Sequence, residues 1–173
     1  MRLLVLFFFA SSLFSCFPVK TIPIKGTYLE PPFERKSESS VNQVWDKIID
    51  LFAQKGLPIK LVDKSSGLIV SDESELIWSY EDKNGNLLDG DASIVLSTKK
   101  SGNLYITPRM VTGEWNIRIK AEGNQTSINI NLVKIRAYGL SRETNTGMGT
   151  ILSNGVDAKS TGKFEQSIFD MIK

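Results

Sequence analysis

The sequence predicts an α+β fold, a two-layer domain in which an antiparallel sheet is covered by an N-terminal and a C-terminal helix. Three observations carry this expectation. Residues 41–52 and 164–172 place apolar side chains at spacings of three and four, the period of a helix with one buried stripe. Residues 115–121 and 127–132 alternate large apolar and polar side chains, the period of a strand with one buried face. No alternating βαβ series joins them, so a parallel doubly wound sheet has no support.

Composition narrows the function classes. The 173 residues are 41% hydrophobic and 23% charged, the make-up of a globular protein. With 21 Lys+Arg against 19 Asp+Glu, the net charge of +2 is too small for a broad basic face, so no nucleic-acid partner is expected. There is no histidine, which removes Ser-His-Asp and Cys-His catalysis and histidine-ligated metals. A single cysteine, Cys16, excludes an intramolecular disulfide and a thiolate zinc site. Neither a metal nor a cofactor is expected.

The first element is an address. Met1-Arg2, an apolar run over residues 3–9 and then Ala10-Ser11-Ser12-Leu13-Phe14-Ser15 have the three parts of a secretory signal. The stretch is shorter than the ~20 residues that span a bilayer. Leu13-Phe14-Ser15-Cys16 resembles the lipobox of bacterial lipoproteins, with Phe14 in place of the usual small or β-branched residue. The resemblance implies a signal peptide over residues 1–15 and Cys16 as an acylated N-terminus that anchors the chain to a membrane. Phe17, where aspartate would resemble an inner-membrane retention signal, implies the outer membrane. Without the resemblance, Cys16 is a free thiol just beyond an ordinary signal.

Residues 16–39 are expected to be the lipidated cysteine and a Pro-rich tether. They hold Pro18, Pro23, Pro31 and Pro32, four of the six prolines, followed by a polar run over residues 34–40. Proline removes amide donors and favours extended chain, which at about 3.1 Å per residue reaches roughly 70 Å. The apolar Val19, Ile22, Ile24, Tyr28, Leu29 and Phe33 exceed a spacer's needs. Either a few pack back on the domain, or the segment orders on a partner.

Residues 40–173 are read as a single α+β domain. Ser39 or Ser40 caps a helix carrying Val41, Val44, Trp45, Ile48, Leu51 and Phe52, and Gly56 and Pro58 end it. Residues 59–62 and 68–71 flank a turn-rich connection and read as a hairpin. A weaker strand over 76–80 and short strands over 93–97 and 104–107 follow. Glu122-Gly123-Asn124-Gln125 joins the two alternating strands, and residues 141–154, long and polar, are read as a mobile connection to the last helix, with a functional loop as the alternative. The last helix starts near Ser160 or Thr161 and buries Phe164, Ile168, Met171 and Ile172.

The runs Val44-Trp45-Asp46-Lys47-Ile48-Ile49-Asp50-Leu51, Gly56-Leu57-Pro58-Ile59 and Val62-Asp63-Lys64-Ser65-Ser66-Gly67-Leu68-Ile69-Val70-Ser71 resemble a helix-then-hairpin opening. It is that of the helix-grip domains of the lipoprotein C subunit of the outer-membrane β-barrel assembly machinery. The resemblance implies a helix-grip-like fold rather than an activity.

Motifs for chemistry are sparse. Asp82-x-Asn84-x-Asn86 begins like a calcium loop, but Leu87 stands where glycine is required and Ser93 where the bidentate glutamate belongs, so a hairpin turn on Asn84-Gly85 is expected. Gly162-Lys163-Phe164 lacks the hydroxyl residue of a phosphate-binding loop. No catalytic residue is assigned. The chain is therefore expected to be a non-enzymatic cell-envelope lipoprotein that scaffolds or docks on an envelope protein. The solvated strand face bearing Arg118, Lys120, Asn129 and Asn131 is the candidate surface. The alternative is an envelope hydrolase or glycan-binding module using carboxylates among Asp72, Glu73, Glu75 and Glu114 with aromatics such as Trp78 and Tyr80.

Overall fold

A computed structural model describes residues 19–138, 141–142 and 157–172. The signal segment, Cys16 and all of the 141–154 loop but Ser141 and Arg142 lie outside the described residues. In chain order the elements are β1 (Val19–Ile22), β2 (Phe33–Ser37), α1 (Val41–Lys55), β3 (Ile59–Asp63), β4 (Leu68–Ser71), β5 (Ser74–Glu75) and β6 (Trp78–Ser79). There follow β7 (Ile94–Leu96), β8 (Thr98–Ser101), β9 (Leu104–Thr107), β10 (Met110–Glu122), β11 (Gln125–Tyr138), β12 (Ser141–Arg142), β13 (Ala158–Ser160) and α2 (Lys163–Ile172).

Local chemistry explains the ends of these elements. Ser40 caps α1 in a reciprocal box, its hydroxyl accepting from the Gln43 N–H and its own N–H donating to Gln43 Oε1 at 2.9 Å. Gly56 closes the helix in the left-handed region at φ 63°. Between β3 and β4, Asp63 Oδ1 accepts the Ser65 hydroxyl at 2.6 Å and its N–H at 3.0 Å. These bonds and those from Ser66 hold the Asp63 carboxyl down to about 2. Gly67 follows at φ 69°, and a Cβ there would lie 1.9 Å from the Ile119 carbonyl oxygen, so only glycine fits against β10.

The long β10–β11 hairpin organises the largest sheet, in the order β2-β11-β10-β4-β3 with β5 also on β10. Its register pairs Ile117 with Ile130 and Ile119 with Ile128, while Arg118 opposes Asn129. The four isoleucines are at most 2% exposed, as the alternation requires. Trp115, on the same face, stacks on Phe164 of α2 at 3.7 Å between ring centroids. α1 packs on β10 and on α2, and α2 reaches β2.

The two-layer α+β expectation, with its helix-grip-like plan, is overturned. The described chain is 47% strand and 19% helical, three sheets arranged largely as a β-sandwich. Beyond the six-stranded sheet are a four-stranded one, β1-β8-β9-β12, and a three-stranded one, β13-β7-β6, in which β6 and β7 run parallel. The seven strands of these two sheets are two to four residues long; β6, β7 and β9 fall within the strands expected over 76–80, 93–97 and 104–107, whereas β1, β12 and β13 pair with partners distant in sequence and are too short to display a period of two.

The segment expected to be a tether is built into the sheets. β1 pairs with β8, and β2 pairs with β11 through Ile130–Phe33, Ile128–Arg35 and Ser127–Lys36. Phe33 is 8% exposed and belongs to the core. Pro23, Pro31 and Pro32 sit in the connection between the two strands, where no ladder amide is needed. Glu81 fastens that connection: its oxygens accept the N–H groups of Lys25 (2.6 Å) and Gly26 (2.9 Å) and the Tyr28 hydroxyl (2.7 Å). Burial and the Glu81 bond raise the Tyr28 hydroxyl to about 12.

Candidate functional site

The strand period sends every second side chain of β10 and β11 away from the core, and the register assembles these into rows across the sheet. One row runs Glu34, Asn129, Arg118, Leu68, Asp63 and a second Asn131, Asn116, Val70, Leu61. Arg118, Lys120, Asn129 and Asn131 therefore share one face; the first two are exposed and the asparagines half-buried. Asn129 donates to Ser127 Oγ at 3.3 Å, and Ser127 donates to Glu34 Oε1 at 2.9 Å. At the β2 side of this face Lys36 meets Glu122 at 3.1 Å. Among the described residues Arg118 and Lys120 have no ion pair.

At the β4–β3 side the same face turns aliphatic through Leu68, Val70 and Leu61, and Leu61 is 47% exposed. The two edges of the sheet differ in kind. β2 carries charge on both faces: Glu34 and Lys36 outward, and Arg35 inward, its guanidinium 4.8 Å over the Phe169 ring and donating to Gln166 at 3.3 Å. Such an edge resists pairing with another chain. β3 instead exposes Ile59, Leu61 and Val62.

Two irregularities frame this aliphatic corner. The β3–β4 register shifts between Ile59 and Leu61, leaving Lys60 as the extra residue, and the β10–β11 register shifts across Thr112/Glu114, with Lys134 at φ 54° on the opposing strand. Bulges re-aim side chains, and both lysines converge on Glu114. Lys60 Nζ lies 3.0 Å from Oε1, and Lys134 Nζ 3.1 and 3.0 Å from the two oxygens. The Glu114 side chain is 8% exposed, and the two ammonium groups hold its carboxyl below the usual range. Glu73 is lowered as well, chiefly by the Thr112 and Tyr138 hydroxyls, the latter at 3.0 Å. Both carboxylates are thus kept ionised, whereas a glycosidase acid needs a raised carboxyl. Trp78 and Tyr80 are half-buried against the core.

Sequence reading missed the aliphatic rim and both bulges. A signal existed for one. The core-facing positions of β11 run 128, 130, 132 and then 135 and 137, a slip of one residue that marks the insertion at Lys134.

Asp82 Oδ1 accepts the N–H groups of Asn84 (2.8 Å) and Asn86 (2.9 Å), and Gly85 sits at φ 86°, the turn expected there. Among the described residues no group of three or more metal-ligating side chains converges, and no helix is long and apolar enough to cross a membrane. A cleft of 240 Å³ is lined by Ile22, Pro23, Lys25, Lys83 and Tyr105, and one of 280 Å³ by Leu29, Glu30, Leu132, Ile135 and Lys159.

Glu165, in the first turn of α2, is fully buried. Its Oε1 accepts the Ser160 hydroxyl at 2.7 Å, and Oε2 is buried without a hydrogen-bond partner. Burial raises its pKa, and the Ser160 bond only partly opposes this. The folded state therefore holds this proton more tightly than the unfolded chain, so stability is full below the ordinary carboxyl value of 4.5 and declines as pH rises through the raised one. Glu165→Gln is expected to flatten that decline in denaturant titrations run from pH 4 upward. An unchanged slope would place its source elsewhere.

Neither a protein-family model nor a curated protein matches the chain.

Proposed function

We propose that this protein is a lipid-anchored lipoprotein of the cell envelope, attached through Cys16 to the outer membrane, and that it docks a protein partner on the outward face of its six-stranded sheet. The observation that carries the docking reading is the pairing of two unneutralised cations, Arg118 and Lys120, with an aliphatic corner formed by the exposed Leu61 and the half-buried Leu68 and Val70. Asn129 and Asn131, on β11 at the other side of these cations, add hydrogen-bonding capacity. This surface fits a partner that presents carboxylates beside aliphatic side chains, because charge complementarity orients the encounter and apolar burial holds it. The anchor reading rests on the lipobox-like Leu13-Phe14-Ser15-Cys16.

The test uses the protein in its native membrane with a photo-crosslinking residue in place of Leu61, and a control probe in place of the exposed Leu88. Mass spectrometry is expected to find Cys16 as an acylated N-terminus. The Leu61 probe, and not the Leu88 probe, is expected to form one adduct that maps to an acid-rich stretch of an envelope protein. Arg118→Glu with Lys120→Glu should abolish it while shifting the denaturant midpoint little, since surface substitutions stay within about 0.5 kcal/mol. Identical adducts from both probes would overturn the docking surface, and an unmodified Cys16 the anchor.

A further inference from the structure

The position of β1 decides how close the domain lies to its anchor. Val19 is three residues beyond Cys16, and three residues of extended chain span about 11 Å at most. β1 is an edge strand of the four-stranded sheet, paired with β8 over its whole length. An acyl group on Cys16 thus holds this sheet, and no long spacer, against the bilayer.

The outward face of the sheet is built for such a neighbour. Antiparallel register puts Lys20 opposite Lys100 and Lys100 opposite Tyr105, so the three side chains form one row, with Ile22 and Thr98 as the adjacent pair. The alternate residues Lys99, Ser101 and Ile106 are buried on the other face. Lys100 Nζ lies 5.2 Å from the Tyr105 ring centroid, and Tyr105 is 50% exposed. A tyrosine with an apolar body and a polar tip suits the boundary between acyl chains and headgroups. The cleft beside this row adds the exposed Lys25 and Lys83. Its two carboxylates, Glu81 and Asp82, are spent on loop hydrogen bonds: Glu81 on Lys25, Gly26 and Tyr28, and Asp82 on Asn84 and Asn86. Four ammonium groups face outward against these two engaged carboxylates.

We infer that the β1–β8–β9 face lies flat on the membrane and that Lys20, Lys25, Lys83 and Lys100 bind anionic phospholipid headgroups, with Tyr105 and Ile22 at the interface. The inference rests on the anchor proposed above. It assigns the two large sheets different tasks, one facing lipid and the other the protein partner. Lysines near an anionic surface are attracted within a Debye length, so the contact strengthens with lipid charge and weakens with salt.

The acylated protein, extracted from its membrane, is reconstituted into vesicles of phosphatidylcholine alone or with phosphatidylglycerol. Flotation reads the anchor, and labelling by a membrane-impermeant amine reagent, resolved by mass spectrometry, reads the orientation. In phosphatidylglycerol vesicles Lys20, Lys25, Lys83 and Lys100 are expected to label several-fold more slowly than in detergent, while Lys60 and Lys120 keep their detergent rates. Lys20→Glu with Lys100→Glu should float as before and lose the protection of Lys25 and Lys83. Flotation with unprotected Lys20, Lys25, Lys83 and Lys100, or with uniform protection of every lysine, overturns the oriented face and leaves the anchor standing. Protein that does not float and carries no acyl group overturns both.

Discussion

A chain beginning at Glu38 is expected to show no cooperative unfolding transition, whereas one beginning at Val19 unfolds in a single step. The first lacks β1 and β2. Losing β2 exposes the β11 edge over Thr126 to Ile130, five positions whose partners are Ser37 to Phe33. It also removes Phe33, whose ring is buried in the core, and Arg35, which covers Phe169. Truncating a buried phenylalanine alone costs about 3–5 kcal/mol, and the ladder bonds of a strand add about 1 kcal/mol each. Domain stabilities of about 5–15 kcal/mol leave little after that sum. Phe33→Ala in the longer chain separates the packing effect from the loss of the strand: it should keep one transition at a lower denaturant midpoint. If the chain from Glu38 unfolds cooperatively with an unchanged midpoint, β2 is dispensable and the segment is a tether after all.

Ile128→Ala is expected to cost about 2–5 kcal/mol, the range for truncating a fully buried aliphatic side chain. Ile128 is 1% exposed, opposite Ile119 on β10 and Arg35 on β2. Asn129→Ala, one residue on, should cost about 1 kcal/mol or less, the worth of its single bond to Ser127. The contrast tests register directly, because a slip of one residue exchanges the two faces of the hairpin. Equal destabilisation by the two substitutions in urea titrations would defeat the assignment of the Arg118, Lys120, Asn129 and Asn131 face to solvent.

What the sequence determined by itself is what local periodicity encodes. The α1 stripe of Val44, Trp45, Ile48, Leu51 and Phe52, the Ser40 cap and the Gly56 stop lie within a few residues of the groups they satisfy. The alternation of residues 115–121 and 127–132 likewise identified a hairpin, its buried isoleucines and its outward Arg118, Lys120, Asn129 and Asn131. The lipobox-like segment is legible for the same reason, being four consecutive residues. Tertiary structure alone decided that Phe33–Ser37 is a strand, since Phe33 and the polar run after it show no strand period and gain one only by pairing with residues 89 to 97 positions away. It also decided that three sheets, not one, make the core. Strands as short as β5 and β13 owe their conformation to partners, Thr112 and Gly113 for the first and Ile94–Leu96 for the second, and no window around either strand contains its partner. The Glu114 clasp belongs with them: Lys60 and Lys134 are separated from it by 54 and 20 residues, and bulges that no local pattern specifies fully bring both to one buried carboxylate. Periodicity reports which face of an element is apolar, whereas the free energy that selects its neighbour comes from burying that face and pairing its peptide groups, and both exist only once the chain has closed on itself.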